Sequence, residues 1–199
     1  MAEELKAAER PLVSWQALLA QFVSGIRRSD YRSYPFNKKH VHRGLYLPTL
    51  GAPGPEHLIV AMDTSGSVYR ELASAFLAEI DSVRSTGECR LTLLECDASI
   101  ENVTVFEPWD EAFIDSGDGG VEIHGRGGTS FIPPFEWARA RLEEGETAPD
   151  ALIYLTDGFG PFPEEEPMFP VLWVLSEDGA ADSVIPFGSL IRMPRLSAG

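Results

Sequence analysis

Apolar residues recur along this chain in two rhythms. Between Ser14 and Arg28, Trp15, Leu18, Leu19, Phe22, Val23 and Ile26 follow spacings of three and four. This predicts a helix with one buried face, and Ser14 is placed to cap it. Residues 30–50 hold Tyr31, Tyr34, Pro35, Phe36 and Tyr46 among basic residues without a period, and read as an extended arm. Gly51 to Pro55 is a linker by composition. Short apolar runs then alternate with amphipathic stretches. The runs are His57–Met62, Leu91–Cys96, Val103–Phe106, Ala151–Leu155 and Val171–Leu175. Between the first two, Leu72, Ala75, Phe76, Ile80 and Val83 share one helical face with a single polar intruder, Glu79. A second helix is predicted from near Pro133, since proline suits a first turn, with Thr129 or Ser130 just upstream. The alternation predicts an α/β fold with a mostly parallel central sheet flanked by helices. An N-terminal helix and arm (1–55) would precede the main domain (56–199).

Composition narrows the class. At 199 residues and 44% hydrophobic content, the chain buries one substantial core with an appendage to spare. No run of 18 apolar residues occurs, and the charged start lacks the apolar stretch of a secretory signal. A soluble, cytoplasmic protein with no membrane contact is expected. Cys89 and Cys96 are too few for a disulfide framework. Their spacing permits one bridge, but reduced, packed thiols are the expected state. The formal charge of −15 is uneven: residues 1–50 carry eight Lys/Arg against four Asp/Glu, and residues 51–199 carry eight against 27. So acidic a body repels a phosphate backbone, which argues against nucleic acid as its partner. The basic N-terminal stretch remains a candidate contact surface.

Candidate chemistry gathers after the strands. Asp63, Ser65 and Ser67 follow directly on the run His57–Met62, in the loop at its carboxyl end, where open α/β sheets place their ligands. Thr129 ends the glycine-rich stretch Gly125-Arg126-Gly127-Gly128, and Asp157 follows the run Ala151–Leu155. Two carboxylates and three hydroxyls make an all-oxygen set suited to Mg²⁺ or Mn²⁺ rather than zinc or copper. Two carboxylates only balance a dication, and hydroxyls add no charge, so the metal would still attract an outside carboxylate.

These residues carry a resemblance. Asp63-Thr64-Ser65-Gly66-Ser67, then Gly127-Gly128-Thr129, then Leu155-Thr156-Asp157-Gly158 resemble the metal-ion-dependent adhesion site of von Willebrand factor A (VWA) domains, over roughly residues 56–187. The resemblance implies a Rossmann-like VWA fold. It also implies a metal held by Asp63, Ser65, Ser67, Thr129 and Asp157, with an acidic residue of a partner completing its shell. Trp15 to Ile26, Tyr31 to Asn37 and His42-Arg43-Gly44-Leu45-Tyr46-Leu47-Pro48 are similar to the segment preceding this domain in bacterial VWA-like proteins called predicted metallopeptidases. Longer members carry a zinc-peptidase-like domain upstream. This chain has no His-Glu-x-x-His, so that activity does not transfer. Genes of the group often neighbour MoxR-type AAA+ ATPases, which implies such an ATPase as a partner.

Plainer readings compete at each position. An isolated Asp-x-Ser-Gly-Ser also suits a capped turn opening a helix, and Thr129 and Asp157 tip the balance toward metal. An aspartic-protease reading fails because Ser65 interrupts Asp-Thr-Gly-Ser in an α/β pattern. A haloacid dehalogenase-like phosphatase would need an aspartate where Ser65 stands. A serine nucleophile lacks an oriented base: His124 reads as a strand-end or surface residue, and His40 and His42 alternate to opposite faces. Asp97, Asp115 and Asp118 read as solvated loop acids, with an outer-shell ligand of the metal as the alternative for each, and Glu164–Glu166 as solvated surface that could also repel unsuitable acidic ligands. The expected function is a non-enzymatic, Mg²⁺-dependent interaction module with no catalytic residues. The alternative is a metal-dependent, peptidase-related hydrolase using the same site, and a metal-free scaffold is a third reading.

Overall fold

The computed structural model describes residues 14–26, 55–64, 70–87, 89–110 and 128–194. The arm at 30–50, the linker at 51–54, and His124, Asp115 and Asp118 lie outside the described residues. Six strands form one sheet: β1 (His57–Asp63), β2 (Arg90–Cys96), β3 (Ile100–Phe106), β4 (Ala151–Thr156), β5 (Val171–Ser176) and β6 (Ser189–Met193). Their order across the sheet is β3-β2-β1-β4-β5-β6, parallel throughout except for the antiparallel β2–β3 pair. The mixed α/β architecture matches the expectation. β1, β4 and β5 are buried along nearly their whole length because helices cover both faces, which is why they read as unbroken apolar runs. β6 escaped the sequence reading: its apolar residues are few and interrupted by Arg192 at the sheet edge.

One face carries α1 (Trp15–Ile26) and α2 (Arg70–Gly87). Trp15, Leu19 and Val23 of α1 join Leu72, Phe76 and Ile80 of α2 over Leu58, Val60 and Met62 of β1 and Ile153 and Leu155 of β4. α1, read from the sequence as part of an N-terminal segment, thus packs into the same core as the sheet. Ser14 caps it as expected, its Oγ accepting the Ala17 amide at 3.2 Å. The opposite face carries α3 (Ile132–Glu143), where Phe131, Phe135, Tyr154 and Trp173 build an aromatic core. Tyr154 and Trp173 stack with ring centroids 5.2 Å apart, and Phe131 meets Tyr154 edge-on at 5.4 Å. The cap of α3 is Phe131, without a side-chain cap bond. Burying that ring offsets the missing cap, and Pro133 in the first turn has no N–H needing a partner. Gly145, at φ +91°, ends the helix in the left-handed conformation and donates its amide to the Leu142 carbonyl at 3.0 Å.

Strand order positions the site. The chain runs outward from β1 through β2 to β3, then returns to build β4, β5 and β6 on the other side of β1. The sheet therefore changes its winding direction between β1 and β4. The crevice beyond their carboxyl ends is where such sheets bind ligands.

Candidate functional site

Asp63 ends β1 and Asp157 follows β4, so the two aspartates flank this switch point. Both are buried, at 2% and 6% exposure. Met62 pairs in register with Leu155, which sets Asp63 beside Thr156. Thr156 Oγ1 donates to Asp63 Oδ2 at 2.8 Å and accepts the Gly158 amide at 3.0 Å. One hydroxyl thus ties the carboxylate of β1 to the backbone of the loop after β4. Asp157 Oδ1 accepts the Phe159 amide at 3.0 Å, using one of about four acceptor positions on a carboxylate.

Thr129 reaches the same rim through its neighbours. The Ser130 amide donates to the Asp97 carbonyl at 2.9 Å and the Phe131 amide to the Pro161 carbonyl at 3.0 Å. A β-carbon on Gly160 would lie 3.1 Å from Thr129 Cγ2, so the absence of a side chain lets the loop after β4 approach Thr129 closely without crowding. The half-buried Thr129 is held between the loops that follow β2 and β4. The structure therefore brings Asp63, Thr129 and Asp157 to one edge, while Ser65 and Ser67 lie outside the described residues.

Asp97 corrects the sequence reading. Expected as a solvated loop acid, it is buried at 7% exposure, because the Thr129 segment docks on its carbonyl. Its Oδ1 accepts the Ser99 amide at 3.1 Å, closing the turn into β3. Glu164, Glu165 and Glu166 are exposed, as expected. Cys89 and Cys96 are both buried thiols, not bridged to each other. The Cys96 thiol is pushed far up, first by burial and then by the negative charge of Asp63 and Asp97. Burial likewise raises the Tyr154 hydroxyl, with Cys96 and Asp63 adding to the shift. The floor of this edge is therefore apolar and electronegative.

Four supporting residues went unassigned in the sequence. Thr156 is the hydroxyl that ends an otherwise apolar strand, and that contrast was its available signal. Thr64 donates both its amide, at 2.8 Å, and its hydroxyl, at 3.0 Å, to the Cys96 carbonyl, locking the exit of β1 to β2. Gly179 lies so close to the loop after β4 that a β-carbon there would collide with the Asp157 carbonyl. The Ala180 amide donates to that same carbonyl at 2.7 Å. Arg192 of β6 holds this β5–β6 connection, donating to the carbonyls of Ser176 at 3.0 Å and of Ala180, and pairing with Asp182. Nothing in the local sequence links Arg192 to Asp157.

Among the described residues no three His, Cys, Asp or Glu side chains cluster as a metal site. The donors that converge are two aspartates and a threonine, a hard, all-oxygen set. No described helix is long and apolar enough to cross a membrane.

A family profile described as VWA-like domain (DUF2201) matches residues 58–194, which is more than half of the chain. An uncharacterized protein of Thermotoga maritima is 24% identical over 158 residues, covering 75% of this chain. The match takes in 34% of that relative, so the chain spans about a third of its length.

Proposed function

The chain belongs to the VWA-like domain family, and on that premise we propose that it is a divalent-cation-dependent protein-interaction module. Asp63, Ser65, Ser67, Thr129 and Asp157 would hold Mg²⁺ or Mn²⁺, and an Asp or Glu of a protein partner would complete the shell. The supporting observation is the pair of buried carboxylates, Asp63 and Asp157, at the switch point, with Thr156 tying Asp63 to the Gly158 amide of the loop that carries Asp157 and the Thr129 loop docked nearby. Their combined charge balances one dication, so an outside carboxylate is still attracted once the metal is bound. When bound, the cation supplies a Lewis-acidic position for that carboxylate. The protein's own groups fix its place: Thr156 orients Asp63, and the Phe159 amide orients Asp157.

The likeness of the N-terminal segment to bacterial VWA-like proteins makes a MoxR-type AAA+ ATPase the first partner to test. Mg²⁺ titration calorimetry of the native chain, Asp63→Ala and Asp157→Ala tests the site, with circular dichroism to verify folding. Loss of Mg²⁺ binding in both variants is expected, and equal binding in all three would sink the assignment. Mg²⁺-dependent turnover of a peptide or phosphoester panel would overturn the binding-only reading in favour of a hydrolase.

A further inference from the structure

Among the described phenylalanines, Phe159 alone is exposed, at 61%. The others sit in or against the core; what sets this ring apart is its place, two residues from Asp157 and with its own amide bonded to that carboxylate. Its backbone is not a loose loop tip. The Phe159 amide is held by Asp157 Oδ1, and Gly158 before it takes φ +80° against Ala180 and Leu175. Gly160 after it abuts Thr129 and Phe131, and the Pro161 carbonyl accepts the Phe131 amide. The residues on both sides are thus fixed to the walls of the candidate site, and the ring between them is presented outward.

We propose that Phe159 is the docking contact for an apolar side chain adjacent to the partner's acidic residue. This rests on the reading of the site as a cation-dependent clasp for a carboxylate. Phe159 lies two residues from Asp157, so their Cα atoms are within about 7 Å. Neighbouring residues of a bound peptide are about 3.8 Å apart between Cα atoms. A ligand whose acid reaches the cation therefore brings its next side chain within reach of the ring. An aromatic side chain on a rigid backbone contributes large contact area at little conformational cost, which is why such residues dominate binding energy at interfaces. The exposed Glu164–Glu166 run on the same connection repels further negative charge. The ligand is accordingly a protein segment with one carboxylate next to a Leu, Ile, Phe or Trp, rather than an acidic tract.

The experiment is selection from a displayed heptapeptide library with a fixed central Asp and random flanks, on the full chain in Mg²⁺. Native protein, Phe159→Ala and Phe159→Ser are compared, and Mg²⁺ affinity is measured for each. The native chain should enrich apolar residues at one position next to the Asp. Both variants retain the backbone amide bonded to Asp157, and at saturating Mg²⁺ they should lose that preference and bind the winning native peptide about tenfold more weakly. Enrichment without an apolar neighbour, no enrichment by a Mg²⁺-binding native chain, or an unchanged preference in the variants would each overturn the role of Phe159 alone. Failure of the native chain to bind Mg²⁺ would overturn the site reading and this inference with it.

Discussion

Thr156 Oγ1 donates to Asp63 Oδ2 across the β1–β4 junction at 2.8 Å, in a fully buried position, and the same oxygen accepts the Gly158 amide. Thr156→Val keeps the branched shape but removes both bonds. With a buried carboxylate oxygen and a buried amide losing a partner, the change should destabilise the fold by about 1–3 kcal/mol. Misoriented Asp63 should also weaken Mg²⁺ binding by about 10–100-fold, the usual cost of losing a group that orients a ligand. Thr156→Ser should stay near the native affinity. Calorimetry on the three proteins checks this, and equal affinity for Val and Thr would show that Asp63 needs no such support.

Gly179 and Arg192 support Asp157 from the far side. Gly179→Ala places a methyl group against the Asp157 carbonyl, and backbone cannot swing away as a side-chain tip would. Arg192→Ala releases the β5–β6 connection that presents the Ala180 amide to that carbonyl. Both variants should weaken Mg²⁺ binding by about tenfold, at the lower end for supporting groups. Gly145→Ala is the control. Its φ, unlike that of Gly179, is positive, so alanine there costs about 1–2 kcal/mol, but its surroundings are open and it caps α3 rather than touching Asp157. Its melting temperature should fall while its Mg²⁺ affinity holds.

Arg84 is a structural device with no counterpart in the motifs. Its buried guanidinium pairs with Asp81 one turn earlier on α2 at 3.0 Å, and donates to the carbonyls of Glu107 at 2.8 Å and Asp110 at 3.1 Å. It thereby fastens the turn leaving β3 to the helix. Arg84→Ala strands the buried Asp81 and removes a donor from two part-buried carbonyls, and should cost about 3 kcal/mol in urea unfolding, the lower end for breaking a buried pair. A loss under 1 kcal/mol would show that water reaches these groups.

His57 makes stability depend on pH. Its ring lies 3.0 Å from Thr92 Oγ1, and burial, aided by Arg90, holds it below the ordinary value of 6.5 despite Asp150 nearby. The native state thus favours neutral imidazole, and between 6.5 and the lower folded value the unfolded chain binds more protons. Stability from this group is present above pH 6.5 and is lost as pH falls toward the folded value. Melting temperatures from pH 7.5 to 5.5 should decline more steeply for the native chain than for His57→Gln. Parallel curves would place the dependence elsewhere.

The order of β1, α2, β2, β4 and β5 was legible in the sequence because each buried strand is an apolar run and each helix repeats at three and four. Asp63, Thr129 and Asp157 were legible as candidates because loops at the carboxyl ends of parallel strands converge on one edge, whatever the side chains between them. Period and spacing are local properties, and a single chain displays them directly. Partnership is not local. Asp97 looked like any loop acid until the Ser130 amide docked on its carbonyl, and Thr156 looked like a strand end until β1 and β4 paired in register. Arg192 supports Asp157 only because β6 lies beside β5 and its side chain reaches back over the connecting loop. The sequence determined which elements form and where oxygen donors stand along the chain. Only the tertiary structure decided which groups are buried against which, because hydrogen-bond partners separated by scores of residues meet only after the sheet has chosen its strand order.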